Sequence, residues 1–313
     1  MNNPALSVII PIYNGEADLP DLIECLRSQT YPKEQVEYLL VDNNSSDQTG
    51  EILQTTAVEL ANQGIKLTPL TEKDIQSSYA ARNRAIRFSH HSILVFTDAD
   101  CRPQSDWLEQ LVKPFSNPNI GIVAGELVAL EGNSLLEQYA DLGGTLSAKY
   151  LLEHPFCPYG QTANLAIKKQ AFEKVGLFRP YLTTGGDADI CWRIQQQTDW
   201  KIDFAPLAIV RHRHRATLKE FRSQWRRYGS SNRYLHQLYG VDLMRDFTAK
   251  EAIYRLSRWI IKEIPIDSLK MMQGQASLVH LLKTPIDLLG FQARSQGQKE
   301  SLLSEKAREI EWL

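Results

Sequence analysis

The chain has 313 residues, 43% of them hydrophobic and 23% charged, enough apolar material for one large domain or two smaller ones with a buried core. Its net charge of −2 excludes a global field that would draw in nucleic acid or an anionic membrane, so any basic site has to be local. Four widely spaced cysteines and no leader at Met1-Asn2-Asn3-Pro4 predict reduced, mostly buried thiols in a cytosolic setting, and no run reaches the ~18 apolar residues that span a bilayer.

From the N-terminus, Leu6 to Ile12 is a nearly continuous apolar run, which predicts a buried strand opening into a loop at Tyr13-Asn14-Gly15. Asp18 is placed to cap a helix with Pro20 in its first turn and Leu22, Ile23 and Leu26 on one face, ended before Tyr31-Pro32. Val36 to Val41 predicts a second strand ending at Asp42. The polar turn Asn43-Asn44-Ser45-Ser46-Asp47 then caps a helix carrying Ile52, Leu53 and Leu60. A strand over Ile65 to Leu70, a helix over Tyr79 to Phe88 and a strand over Ile93 to Thr97 follow. This alternation implies a parallel, doubly wound sheet. Ligand loops then gather at the carboxyl ends of its strands: Tyr13-Asn14, Asp42-Asn43 and Asp98-Ala99-Asp100.

The third loop is the most informative. Two carboxylates, Asp98 and Asp100, at the mouth of a sheet suit a hard cation, Mg²⁺ or Mn²⁺, held against a diphosphate. The pair also reads as an ordinary strand-end turn or helix cap, and Pro103 fits a plain turn.

Beyond about Gly121 the rhythm changes. The pattern predicts a strand over Ile120 to Leu130, a helix over Leu135 to Leu152, a short strand over Ala163 to Ile167 and a helix over Lys169 to Val175 stopped by Gly176. A helix over Asp187 to Gln197 comes next, then a strand over Ala208 to Val210 leading into the basic run Arg211-His212-Arg213-His214-Arg215. After about Val241 the sequence becomes amphipathic helix, first around Trp259, Ile260 and Ile261, then over Leu278 to Phe291. Gln292 to Leu313 reads as a charged peripheral helix.

Five segments in order carry a family resemblance: Ser7-Val8-Ile9-Ile10-Pro11-Ile12-Tyr13-Asn14, Leu40-Val41-Asp42-Asn43-Asn44-Ser45-Ser46-Asp47, Ala81-Arg82-Asn83, Thr162-Ala163-Asn164-Leu165-Ala166-Ile167 and Gly185-Gly186-Asp187-Ala188-Asp189-Ile190. Together they resemble motifs of the family 2 glycosyltransferases with the GT-A fold, over residues 6 to 230. Two departures stand out. The glutamate usual before the base is Gly186 here, and the Gln-x-x-Arg-Trp motif of processive members appears only as Gln224-Trp225-Arg226-Arg227-Tyr228.

The resemblance implies an α/β, GT-A type fold: a Rossmann-like, doubly wound mixed sheet flanked by helices, with a C-terminal helical extension. The catalytic domain would span 1–240, its nucleotide-binding half about 1–119 and its acceptor half about 120–240, with the amphipathic extension over 241–313. The implied activity is inverting transfer of a sugar from a nucleotide-diphospho-sugar, a UDP-sugar first, to the hydroxyl of a saccharide or lipid-linked acceptor, in cell-envelope polysaccharide synthesis. Asp100, with Asp98 close by, would hold Mg²⁺ or Mn²⁺ on the diphosphate. His212 would be a third ligand or else a solvated histidine among arginines, with His214 as substitute. Asp187 would be the general base, with helix N-cap as its other reading, and Asp189 would be structural. Asp42 would accept from the nucleobase or simply close a turn. Pro11 and Tyr13 would border the base pocket. Arg82 would meet ribose or phosphates, or lie on a helix surface. Asn164 and Trp192 would lie near the acceptor, although a helical tryptophan is more often core.

Rival readings are a nucleotidyltransferase that makes a sugar nucleotide, which would want a Gly-rich basic loop where Tyr13-Asn14-Gly15-Glu16 stands, and a non-catalytic sugar-nucleotide-binding protein. The Arg211–Arg227 run with Trp225 and Tyr228 could bind nucleic acid on composition alone, but the weak overall charge argues for no nucleic-acid partner. The expected location is cytoplasmic. Tyr254–Ile264 and Leu278–Phe291 could give peripheral contact with the inner face of a membrane or cover the catalytic core.

Overall fold

A computed structural model describes residues 3–144 and 147–313. The first part alternates strand and helix: β1 Leu6–Ile12, α1 Leu19–Arg27, β2 Val36–Asp42, α2 Thr49–Ala61, β3 Lys66–Thr71, α3 Ser78–Phe88, β4 Ile93–Phe96, β5 Cys101–Pro103 and α4 Trp107–Val112. Next come β6 Ile120–Ala129, α5 Leu135–Leu142, α6 Lys149–Leu152, β7 Leu165–Lys168, α7 Lys169–Val175, α8 Gly186–Gln197 and β8 Lys201–His212. The remainder is helical: α9 Leu218–Tyr239, α10 Ala249–Arg258, a π turn at Trp259–Glu263, α11 Ile264–Met272 and α12 Leu278–Glu300.

The strands form one sheet in the order β3-β2-β1-β4-β7-β6-β8-β5. β3, β2, β1 and β4 run parallel, and β7 pairs antiparallel with both β4 and β6. This is the mixed, doubly wound sheet expected. Burial on both faces explains why β1 and β4 read as unbroken apolar runs; every residue of both strands is buried. The register pairs Ile12 with Asp42 and Ile9 with Phe96. The loops after β1, β2 and β4 therefore open at one edge.

The opposite edge holds a buried carboxylate. Glu37 in β2 accepts from the Ser7 hydroxyl (2.7 Å), the His90 amide (2.7 Å) and Lys66 Nζ (2.9 Å), with His90 Nδ1 at 2.9 Å. Burial alone would raise its pKa, but these hydrogen bonds win and hold it at about 2. A cavity of about 1150 Å³, lined in part by His90, His91, Lys168 and Lys169, contains none of the residues expected to do chemistry.

By contact the chain forms two compact units, Met1–Val128 with Leu146–His212 and Ser304–Leu313, and Ala129–Thr145 with Arg213–Leu303. The first contains the sheet. In the second, α9 and α12 cross with almost no side chain between them. A Cβ at Gly229 would fall 1.9 Å from the Arg294 carbonyl oxygen, and one at Gly297 1.9 Å from that of Arg226. Only glycine permits that approach. Leu136, Tyr139, Phe221, Val279 and Ile286 make the apolar centre of this unit.

Several local expectations need correction. Leu135 to Leu152 is not one helix: α5 stops before Gly143-Gly144, and Thr145 and Leu146 lie outside the described residues. β8 is far longer than Ala208 to Val210, because its exposed positions hide the alternation. Pro103 ends a strand, β5, at the sheet's edge, where its missing N–H costs nothing. Asp18 occupies the α1 N-cap position, but its carboxylate bonds Arg102 Nη2 (3.0 Å) instead of a helix amide. The segment after α12 is not a peripheral helix. Leu177 N–H donates to the Glu311 carbonyl at 2.7 Å, Arg179 bonds the Arg308 carbonyl, and the Glu311 carboxylate accepts from Asn83 and Arg87. The apolar side of Tyr254–Ile264 does not cover a core: Tyr254, Ile260 and Ile261 are exposed.

Candidate active site

The loops after β1 and β2 are zipped together. Gly15 N–H donates to the Thr49 hydroxyl (2.8 Å), Asn14 N–H to the Ser45 hydroxyl (2.9 Å), and Ser46 N–H returns to the Asn14 side chain (2.9 Å). Asn14 and Asn44 adopt left-handed backbone, at φ 49° and 61°, which asparagine tolerates better than most residues. This fixes Tyr13, which is 58% exposed, beside the end of β2. Pro11 is buried within β1, opposite Val41. Asp42 Oδ1 accepts from Ser45 N–H at 3.0 Å, so its turn-forming role is real.

Asp98 and Asp100 lie in the turn after β4, closed by Cys101 N–H to the Asp98 carbonyl at 3.2 Å. They face different partners. Arg82 Nη2 donates to Asp98 Oδ1 at 2.5 Å. Arg82 is not a helix-surface arginine: it is 3% exposed, its guanidinium sits 5.5 Å from the Tyr79 ring centre, and its Nε is buried without a partner among the described residues. Asp100 Oδ1 lies 3.5 Å from His212 Nε2. β5 and β8 make this approach, pairing Cys101 with His212. His212 is thus not a solvated member of a basic run; it is buried, and its Nδ1 has no partner among the described residues. His214 is also buried.

Donor atoms of Asp100, Cys101 and His212 all lie within 4.8 Å of one another. Burial first, then Asp98 and Asp100, push the Cys101 thiol well above its usual pKa, and sulfur is a soft donor that Mg²⁺ and Mn²⁺ do not select. The carboxylate and imidazole that remain fit a divalent cation of the Mg²⁺ or Mn²⁺ kind. The nearness of Cys101 was not legible, because the three-residue β5 gave no strand signal.

Asp187 enters from α8. It is not the helix cap: Gly185, in left-handed backbone at φ 82°, holds that position. The Thr162 hydroxyl donates to Asp187 Oδ1 at 2.9 Å. Burial raises the Asp187 pKa above the usual carboxylate value; Arg82 and Thr162 pull it down, and Asp98 pushes it up. Asp187 therefore shares its electrostatic environment with the Arg82–Asp98 pair. Gly186 abuts Tyr79: its N–H donates to the Tyr79 hydroxyl at 3.0 Å, and a Cβ would fall 2.6 Å from the ring. Thr162 and Tyr79 are the two neighbours that sequence reading missed.

Three residues do other work. Asp189, fully buried, accepts from Arg179 and Arg193 at 2.8 Å each, the structural role expected. Asn164 is consumed by Trp107 Nε1 and the Glu126 and Ala208 carbonyls. Trp192 is core, its indole N–H on the Cys157 carbonyl.

The sequence model described as "Glycosyl transferase family 2" matches residues 7–176, more than half of the chain. The chain belongs to glycosyl transferase family 2. A second model, "Glycosyl transferase family group 2", matches residues 93–276 of this family 2 glycosyltransferase. It is 32% identical to the glycosyltransferase AglE of Haloferax volcanii over 82% of this chain and 80% of that one. It is 26% identical to the pre-mycofactocin glycosyltransferase of Mycobacterium tuberculosis over 72% of this chain and 46% of that one. Its fold matches the mannosyltransferase PcManGT of Pyrobaculum calidifontis, solved with GDP-Man and Mn²⁺, with TM-score 0.64, 18% identity and coverage of 96% and 89%. It also matches glucosyl-3-phosphoglycerate synthase of Mycobacterium tuberculosis, solved with Mn²⁺, UDP and glucosyl-3-phosphoglycerate, with TM-score 0.53, 19% identity and coverage of 77% and 81%. The family 2 glycosyltransferase thus has the GT-A architecture that these structures share. Among its described residues no helix is long and apolar enough to cross a membrane.

Proposed function

We propose that the protein transfers a sugar, with inversion, from a nucleotide-diphospho-sugar to an acceptor hydroxyl, with a divalent cation and Asp187 as general base. The observation that carries this reading is the Asp187 carboxylate: partly desolvated, bonded by Thr162, and under the influence of the Arg82–Asp98 pair. A carboxylate with a raised pKa is a better proton acceptor. As the acceptor oxygen bonds to the anomeric carbon, its proton passes to Asp187 and the bond from that carbon to the diphosphate oxygen breaks. Its electron pair leaves with the nucleotide. Arg82 offsets negative charge at the donor phosphates. Asp100 and His212 would hold Mg²⁺ or Mn²⁺, whose chemistry there is charge neutralisation on the leaving diphosphate. Asp42, Pro11 and Tyr13 would border the base, and the catalytic work is assigned to 1–240.

UDP-sugars are the first donors to test, since structural neighbours were solved with UDP and UDP-GlcNAc, and GDP-sugars the second. The acceptor is read as a saccharide or a lipid-linked saccharide on the cytoplasmic side. A relative from Escherichia coli, 27% identical over 44% of this chain, is a glucosyltransferase acting on GlcNAc-diphosphoundecaprenol. The test is a thermal-shift panel of UDP-, GDP- and dTDP-sugars with and without Mn²⁺. A donor at a hundred times its dissociation constant stabilises by ~2.7 kcal/mol. A panel in which none of these donors shifts the unfolding midpoint with the metal present would sink the reading.

A further inference from the structure

The helical stretch from 249 to 272 is turned inside out. Arg255, Trp259 and Glu263, four residues apart, share the side that meets α12. Arg255 Nη2 pairs with Asp287 Oδ2 at 3.3 Å, the Trp259 indole donates to the Leu281 carbonyl at 2.7 Å, and the Thr284 hydroxyl donates to Glu263 at 2.5 Å. Ile253, Ile260, Tyr254 and Ile261 turn away from that side. These are 66%, 58%, 65% and 77% exposed. An ordinary surface helix buries its apolar stripe and shows its charges; this one turns half-buried Arg255, Trp259 and Glu263 inward and shows isoleucine.

Charge follows the same division. The acids of the stretch, Glu251, Glu263 and Asp267, are all half-buried, and Glu251 and Glu263 are tied to Arg245 and Arg258. The exposed charges are Lys250, Arg258, Lys262 and Lys270. The exposed side chains of the stretch are therefore mainly apolar and cationic, in a chain whose net charge is −2.

We propose that this stretch lies in the headgroup layer of an anionic lipid bilayer, with Ile253, Tyr254, Ile260 and Ile261 among the upper acyl chains and Lys250, Lys262 and Lys270 on lipid phosphates. Apolar residues beside lysines on one helix are what such a surface recognises. A second copy fits less well, because a two-fold contact would set the cations against one another. The proposal rests on the lipid-linked acceptor reading for its purpose, but on this surface alone for its physics.

The experiment is co-sedimentation of the full chain, without donor, with vesicles of phosphatidylcholine alone or mixed equally with phosphatidylglycerol. The parent should pellet with the anionic vesicles, and less so as salt rises. Ile253→Glu with Ile261→Glu should cut binding tenfold or more. Lys262→Glu and Lys270→Glu should each weaken it roughly fivefold or more, since one surface cation contributes about that factor. Both residue pairs are exposed, so nucleotide binding by calorimetry and the unfolding midpoint should stay at parent values. A parent that stays in solution beside anionic vesicles, or an Ile253→Glu/Ile261→Glu variant that pellets as the parent does, overturns the proposal. So does a concentration-dependent dimer that the same substitutions abolish, which would make a second copy the occupant. Vesicle binding without any nucleotide binding would instead fault the enzyme reading and leave the surface standing.

Discussion

The Tyr79 ring occupies the space that a side chain at position 186 would need. The Gly186 N–H bonds the Tyr79 hydroxyl, a Cβ there would fall 2.6 Å from the ring, and Tyr79 itself stacks on Phe178 at 5.7 Å. The missing glutamate noted in the sequence is thus bound up with a neighbouring tyrosine.

Gly186→Ala should therefore destabilise the fold by about 1–3 kcal/mol, the usual cost of overpacking. Tyr79→Ala should make the alanine tolerable. Thermal unfolding of the two single variants and the double variant gives the coupling. Additive losses would mean that the ring yields freely and the two positions are independent.

Asp187→Asn should leave donor affinity near parent and reduce transfer by roughly 10²–10⁴-fold. The acid limb of the pH–rate profile carries the sign. The base works only when deprotonated, so activity holds above its pKa and is lost as pH falls through it. Burial raises that pKa, so the loss begins at higher pH than for an ordinary aspartate. Thr162→Val removes a hydrogen bond to the charged form and should move the limb higher still. A limb unmoved by Thr162→Val would mean that another group titrates there.

Chelation with EDTA should abolish metal-dependent nucleotide binding. Asp100→Asn and His212→Gln should each weaken it by at least the roughly 10–100-fold that even outer-shell changes cost at metal sites. Cys101→Ala should not, because a soft sulfur donor adds little for a hard cation. Calorimetric titration of UDP with and without Mn²⁺ reads all three, and a Cys101→Ala variant as impaired as the other two would redraw the site.

Glu37 should govern acid stability. Its folded pKa of about 2 lies below the ordinary 4.5, so its contribution is complete above 4.5 and is lost as pH falls from there toward 2. Glu37→Ala should cost about 3 kcal/mol at neutral pH and flatten the fall of the unfolding midpoint below pH 5. Equal slopes for parent and variant would assign acid unfolding to other groups.

The sheet was legible because β1, β2 and β4 are buried almost throughout, so apolar runs and polar turns mark these strands without ambiguity. The site was half legible. Asp98, Asp100 and Asp187 announce themselves at element ends, whereas their partners do not. Arg82 looks like a surface residue because its burial comes from neighbours remote in sequence. Thr162 has no charge to draw notice. β8 shows so many exposed positions that most of its length reads as loop, and His212 at its end reads as part of a basic run. The inside-out stretch was legible as amphipathic, but a helical period cannot say which side faces the protein.

The sheet-bearing unit is assembled from pieces that are not consecutive: Ser304–Leu313 pack with segments made long before them, through Leu177, Arg179, Asn83 and Arg87. During synthesis the first unit therefore waits for residues 213–303 to emerge before its last contacts can form. At about 5–20 residues per second that wait is on the order of ten seconds. The nascent chain spends that interval with the backbone N–H of Leu177 and the guanidinium of Arg87 without their Glu311 partners. Only a chain that includes Ser304–Leu313, not the sheet segment alone, can complete this unit.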